Sequence, residues 1–272
     1  MIVEQHDEWA VAERCNLSET SLAATPPLPV VAVWIMLSKL EAMPIRAVVF
    51  DYFFTLAKPD APDLVAFARS LGVEVVDQDA ERQRLGEIAR AQLPELPFEG
   101  PAPPFQTFQE RWVRFGEGLF CGLARTAGER YAASRWASHA EAPLFDDTLV
   151  ALPRLHRSGY RLGVLSDADE GYLRHNIDLH GLDFDAVACS QALRCYKPHR
   201  STFEAVCREL SVQPSEALFV GDSPVADIEG ARRAGLHAAW INRRDLTWPS
   251  HLPPPAVRVD SLSELEPIVS WR

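Results

Sequence analysis

Short apolar runs alternate with longer amphipathic segments over most of this chain, from residue 45 to residue 259. The runs predict strands at 45–50, 161–165, 186–189, 217–220 and 237–241, with a further edge strand at 257–259. The segments between the later strands predict helices at 146–158, 169–180, 202–210 and 226–234. Strands separated by helices in this way predict an α/β protein with a parallel, right-handed, doubly wound sheet.

A block of helices interrupts this alternation directly after the first strand. Helices are predicted at 64–71, 80–93, 105–119 and 125–139, and a proline-rich stretch separates the second from the third. This pattern predicts an inserted helical domain of residues 59–140 and a core domain of residues 44–58 and 141–272. Residues 1–43 contain Ser, Thr, Ala and Pro stretches that match no element of either part, and they predict a disordered N-terminal extension.

Polar side chains follow several of the predicted strands. Asp51 ends the first strand, Ser166 ends the second, and Asp222 and Asp227 follow the fourth, while Lys197 stands in a turn after the third. The carboxyl ends of parallel strands meet at one edge of the sheet, where open α/β sheets bind their ligands. A nucleophilic acid, a hydroxyl, a cation and a pair of acids are the parts of a phosphoryl-transfer site with an aspartyl intermediate and a magnesium ion.

This ordered set resembles the haloacid dehalogenase-like (HAD) superfamily of hydrolases. The resemblance covers residues 45 to 242, and its most specific stretch is Gly-Asp-Ser-x-x-x-Asp at 221–227 with Ile-Glu-Gly-Ala-Arg-Arg-Ala-Gly after it. It implies a Rossmann-like HAD core with a helical cap domain inserted after the first strand. It also implies that Asp51 is the nucleophile and that Ser166 and Lys197 bind the phosphoryl group. Mg²⁺ would then be held by four groups: Asp51, the backbone carbonyl of Phe53, Asp222 and Asp227.

One position departs from the pattern of the family's phosphatases. They carry a second Asp two residues after the nucleophile, which protonates the leaving oxygen and later activates water, and this chain has Phe53 there. General acid–base catalysis contributes about 10²- to 10⁴-fold to a rate, so its loss predicts a slow or substrate-restricted enzyme. Asp167 and Asp169 are the candidates for a relocated acid–base.

Three functions follow from these residues. The first is a magnesium-dependent phosphatase or phosphotransferase that acts on a small phosphorylated metabolite. The second is a hydrolase of the 2-haloacid dehalogenase type, which the aromatic Phe53 favours and which Asp222 disfavours, since those enzymes need no metal. The third is a catalytically weak HAD-like protein that binds a ligand or a partner.

Composition narrows the partners further. The formal net charge of −11 argues against nucleic acid or an anionic membrane as the main partner. The apolar run at 28–37 is too short to span a bilayer. Five cysteines without a Cys-x-x-Cys pair are typical of reduced thiols. The sequence therefore predicts a cytoplasmic protein with a small-molecule, phosphorylated substrate.

Overall fold

The central sheet has six strands, all parallel. The computed structural model describes residues 44–60, 63–91, 96–120 and 124–269, and the extension predicted at 1–43 lies outside them. The strands are β1 (Ala47–Phe50), β2 (Arg161–Ser166), β3 (Ala186–Cys189), β4 (Ala217–Gly221), β5 (His237–Ile241) and β6 (Val257–Val259). Their spatial order is β3-β2-β1-β4-β5-β6. This confirms the predicted α/β class with a doubly wound parallel sheet.

The strand order reverses at one place in the sheet. From β1 the chain crosses to β2 and β3 on one side, then returns to place β4 on the other side of β1. The crevice between β1 and β4, at their carboxyl ends, is therefore the switch point where ligands bind in folds of this kind.

The predicted helices form close to their expected bounds, and two short helices, Ser190–Leu193 and Leu265–Val269, are added to them. They are α1 (Leu64–Ser70), α2 (Gln78–Ala91), α3 (Phe108–Leu119), α4 (Ala124–Ala140), α5 (Thr148–Arg157), α6 (Glu170–Leu179), α7 (Ser190–Leu193), α8 (Arg200–Glu209), α9 (Gly230–Ala234) and α10 (Leu265–Val269). Helix α3 begins three residues later than predicted because Thr107 caps it, in a capping box with Glu110. The helix predicted at 226–234 begins as a π-type turn, Pro224–Glu229, and becomes α-helical only in α9.

The two faces of the sheet build two parts of the core. Val48 and Phe50 of β1 pack into one apolar cluster, while Ala47 and Val49 pack into the other. Successive side chains of a strand point to opposite faces, and parallel sheets are covered on both. This is why the strands read as unbroken apolar runs in the sequence.

The chain leaves the core after β1 and returns before α5 through two segments that pair with each other. Ala57 and Leu144 form an antiparallel bridge, the Lys58 amide donates to the Pro143 carbonyl at 2.7 Å, and the Phe145 amide donates to the Leu56 carbonyl at 3.0 Å. Helices α1–α4, here called the helical insert, lie between these paired segments. The assignment of residues 59–140 as a separate cap domain stays a prediction.

The cysteines and the helices of the described residues bear on the expected reduced thiols and on membrane insertion. Cys189, Cys195 and Cys207 are buried and form no disulfide. Within the described ranges, no helix combines the length and the apolarity needed to cross a bilayer.

Candidate active site

The chain turns sharply just after Asp51. The Asp51 amide donates to the Val220 carbonyl of β4 at 2.9 Å, and the amides of Leu56 and Ala57 both donate to the Tyr52 carbonyl. Phe54 in this turn has a φ of 65°, a left-handed conformation that costs an L-residue about 1–2 kcal/mol. The Asp51 carboxylate is thereby held, 3% exposed, at the carboxyl end of β1 beside the switch point.

Lys197 lies between two carboxylates. Its Nζ donates to Asp51 Oδ1 and to Asp227 Oδ1, each at 2.7 Å, and its side chain is fully buried. Burial alone would lower the pKa of Lys197, but the charges of Asp227 and Asp51 outweigh it and hold that pKa above its ordinary value. The lysine is therefore cationic and links the end of β1 to the turn after β4.

Asp227 is positioned by the glycine and serine that end β4. Its Oδ2 accepts from the Ser223 amide at 2.9 Å, within the π-type turn that Ser223 caps. A Cβ on Gly221 would lie 2.4 Å from the Asp227 carboxyl carbon, so only glycine allows this approach. The Gly-Asp-Ser stretch thus places Asp227 on Lys197.

Asp222 pairs with a cation that sequence reasoning missed. Its Oδ2 accepts from Arg244 Nη2 at 2.7 Å, and its backbone carbonyl accepts from Trp240 Nε1 at 2.8 Å. Arg244 lies in the loop after β5, where Arg243 makes a two-bond ion pair with Asp147. The available signal was the Arg243-Arg244 pair directly after the last predicted core strand, at the same edge of the sheet as the acids.

Three of the predicted site carboxylates come together. Asp51, Asp222 and Asp227 are all buried, and each offers one oxygen within 4.8 Å of those of the other two. Magnesium prefers oxygen ligands and binds proteins through one or a few carboxylates. The donor set fits such an ion, although Asp51, Asp222 and Asp227 already face two cations, Lys197 and Arg244. The Phe53 carbonyl as a further ligand stays a prediction.

Ser166 and Asp167 lie at the end of β2, next to the lysine. Ser166 is buried at the last position of the strand. Asp167 Oδ1 accepts from the Lys197 backbone amide at 3.0 Å and so fixes the lysine-bearing turn to β2. This contact places Asp167 at the site, while its role as an acid–base stays a prediction.

Asp169, the other acid–base candidate, contacts the helical insert. Its Oδ1 accepts from the Phe108 amide at 2.9 Å and its Oδ2 from the Gln109 amide at 3.4 Å, both in the first turn of α3. Burial raises the pKa of Asp169, against the lowering effect of those amides. The carboxylate therefore holds the N-terminus of α3 onto the core.

Phe53 is buried and packs against other aromatic side chains. Its ring lies 4.7 Å from the ring of His139 and 5.6 Å from that of Tyr172, and the residue is only 5% exposed. Burial lowers the pKa of His139 well below its ordinary value, so the imidazole is neutral. The position that carries an acid in related phosphatases is here part of an apolar contact between the core and α4.

Known proteins resemble this chain at the level of both sequence and fold. A family model described as haloacid dehalogenase-like hydrolase matches residues 45–235. The chain is 29% identical over 136 residues to (S)-2-haloacid dehalogenase 4A of Burkholderia cepacia, covering 49% of this chain and 58% of that protein. It is 35% identical over 125 residues to N-acylneuraminate-9-phosphatase of Homo sapiens, covering 45% of this chain and 50% of that protein. The matched region thus spans about half the length of these curated relatives.

The fold is shared over a longer stretch. A putative HAD hydrolase of Bacillus subtilis, crystallised with magnesium, superposes with a TM-score of 0.61 at 18% identity, covering 84% of this chain and all of that one. Since the family model covers more than half of the chain, the chain belongs to the haloacid dehalogenase-like hydrolase family.

Proposed function

We propose that this hydrolase cleaves a phosphate monoester of a small molecule through an aspartyl-phosphate on Asp51, with a magnesium ion at Asp51, Asp222 and Asp227. The observation that carries the proposal is the cluster of three buried carboxylates whose oxygens lie within 4.8 Å of one another. Buried acids repel each other, and the two cations Lys197 and Arg244 do not fully balance three of them, so a divalent cation would stabilise this arrangement. The similarity to N-acylneuraminate-9-phosphatase also supports a phosphatase activity.

The site residues divide the chemistry between them. The Asp51 carboxylate attacks phosphorus, the bond from phosphorus to the leaving oxygen breaks, and that oxygen keeps the electron pair. Water then attacks phosphorus, which releases inorganic phosphate and restores the carboxylate. Lys197 neutralises charge on Asp51 and on the transferring group, and Ser166 donates a hydrogen bond to a phosphoryl oxygen. Magnesium supplies further positive charge where negative charge develops.

Phe53 shapes the substrate preference in this proposal. No acid stands at that position to protonate the leaving oxygen, so the rate of the first step should depend steeply on the pKa of the leaving group. Aryl and acyl phosphates should be cleaved far faster than alkyl esters. Asp167, which lies against the lysine-bearing turn, is the first residue to test as the replacement acid–base.

The test is turnover of p-nitrophenyl phosphate and acetyl phosphate with magnesium and with excess chelator. We expect activity only with the metal, and we expect mass spectrometry of quenched enzyme to find one phosphoryl group on the peptide that contains Asp51. Magnesium should also raise the melting temperature by mass action. Asp222→Asn should abolish both the magnesium-dependent turnover and the rise in melting temperature. Full activity in excess chelator would refute the proposal.

A second candidate, hydrolysis of a carbon–halogen bond, is favoured by two observations. Arg244 already pairs with Asp222, and Phe53 is aromatic, as in dehalogenases of the superfamily. In that reaction Asp51 attacks carbon, halide leaves with the electron pair, and water hydrolyses the resulting ester. The similarity to (S)-2-haloacid dehalogenase 4A agrees with it. Chelator-resistant release of halide from 2-chloropropionate would establish this candidate in place of the first.

A further inference from the structure

Helix α3 of the helical insert presents one buried arginine next to the site. Arg111 is 3% exposed, and neither Nη1 nor Nη2 has a hydrogen-bond acceptor among the described residues. A buried hydrogen-bond donor without an acceptor costs free energy of folding, and this cost is larger for a charged group than for a neutral one. Buried terminal N–H groups without an acceptor at this place therefore indicate a missing hydrogen-bond partner, and an anion is the acceptor that a guanidinium binds most strongly.

Stacking fixes the orientation of this guanidinium. Its Cζ lies 3.9 Å from the centroid of the Tyr196 ring, and Tyr196 directly precedes Lys197. The Tyr196 ring also stacks with Phe105 at 5.2 Å, with 16° between the ring planes, and the Tyr196 hydroxyl donates to the Gln106 carbonyl at 2.6 Å. A guanidinium that stacks on a ring keeps its N–H groups in the plane of the group, so its edge stays available for a planar, two-bond acceptor.

The neighbouring acids compensate the charge of Arg111 without accepting from its terminal nitrogens. Asp167 and Asp169 both act electrostatically on Arg111. Asp167 Oδ1 accepts from the Lys197 amide, and both oxygens of Asp169 accept from amides of α3. Two negative charges close by favour a singly charged ligand group over a phosphate dianion.

We infer that Arg111 binds a carboxylate on the substrate, at a subsite separate from the reacting group held at Asp51, Ser166 and Lys197. The inference rests on the proposed function and specifies its substrate class: a phosphate monoester that also carries a carboxylate. A carboxylate accepts two parallel hydrogen bonds from one arginine edge, which is the strongest and most directional form of this contact.

Two phosphate monoesters that differ at one end test the subsite. Phosphoglycolate carries a carboxylate, and 2-hydroxyethyl phosphate carries a hydroxyl instead. Their affinities are measured by titration calorimetry with magnesium on Asp51→Asn protein, which cannot form the phosphoenzyme. We expect phosphoglycolate to bind at least about tenfold more tightly. Hydrolysis of p-nitrophenyl phosphate by the wild type reports separately on the proposed function.

Substitutions on α3 then test whether Arg111 is responsible for the tighter binding of phosphoglycolate. In the Asp51→Asn background, Arg111→Met should abolish it, and Arg111→Lys should keep only a part, since lysine retains the charge without the fork. Arg114→Met is the matched control, because Arg114 lies one turn away on the same helix and is exposed. Equal affinity for the two esters, binding of neither, or equal weakening of both by Arg111→Met and Arg111→Lys would overturn the inference. If p-nitrophenyl phosphate is hydrolysed in those cases, the proposed function stands without it.

Discussion

Replacing Lys197 by methionine tests whether its charge holds the site carboxylates together. The lysine side chain is fully buried, and its Nζ lies 2.7 Å from an oxygen of Asp51 and from one of Asp227, whose side chains are 5% and 0% exposed. Removing one partner of a buried ion pair costs about 3–5 kcal/mol because the remaining charge stays buried without compensation. For a domain of this size, about 2–4 °C of melting temperature per kcal/mol gives a fall of about 6–20 °C.

The assay is urea unfolding followed by tryptophan fluorescence, in excess chelator so that no metal compensates the acids. We expect a lower midpoint with an unchanged slope. Arg174→Met is the control, since Arg174 forms a solvent-exposed ion pair with Glu170, and such pairs contribute about 0–1 kcal/mol. Adding Asp227→Asn to Lys197→Met should restore part of the lost stability, because it removes one of the two charges.

Magnesium should narrow the difference between Lys197→Met and the wild type, since a divalent cation supplies the missing positive charge. Activity should be lost with or without it. A Lys197→Met protein within about 1 kcal/mol of the wild type in chelator would refute the reasoning. So would a double variant that is less stable than Lys197→Met alone.

Three further predictions concern the surroundings of the site. Arg244→Ala should lower the magnesium dissociation constant about tenfold, seen as a larger rise in melting temperature at fixed magnesium, because it removes the cation that competes for Asp222; a smaller rise would contradict this. Phe53→Asp should cost about 2–5 kcal/mol in urea unfolding, because it buries a carboxylate among aromatic rings, yet the protein that stays folded should turn over alkyl phosphates faster; unchanged turnover would assign the acid–base to another residue. Because burial lowers the pKa of His139, the unfolded chain binds a proton that the folded protein does not, so stability should fall below about pH 6.5. In unfolding measured between pH 7 and pH 5, His139→Phe should flatten this dependence, whereas His175→Phe, at an exposed position, should not. An equal slope in both variants would contradict the role of His139.

The sequence alone was sufficient for the sheet and for the edge on which the site lies. Each strand is covered on both faces and so appears as an unbroken apolar run, and parallel connections bring all the carboxyl ends to one edge. The position of Asp51, and its approach to Lys197 and Asp227, follow from this topology once the strands are placed. Gly235, directly after α9, has a φ of 91°, a left-handed conformation that favours glycine, so the end of this helix also has a local signal in the sequence.

Contacts between distant segments could not be read in this way. From the sequence, Asp169 could be a helix cap or an acid–base. Only the position of α3 in the structure shows that its carboxylate accepts from the amide of Phe108. The sequence shows that Phe53 is not an acid, but not that its ring packs on His139. The Arg243-Arg244 pair after β5 indicates positive charge at this edge of the sheet, but only the tertiary structure shows that Arg244 pairs with Asp222.

The paired segments at 56–58 and 143–145 have a consequence for how such an enzyme changes over evolution. Their hydrogen bonds hold the two ends of the helical insert side by side, whatever lies between them. The entropy of closing a loop grows only slowly with its length when its ends are fixed. Helices can therefore be lengthened, shortened or exchanged at this junction with little cost to the sheet. Residues of the helical insert, Arg111 among them, can then change one by one while Asp51, Lys197 and Asp227 keep their contacts at the edge of the sheet.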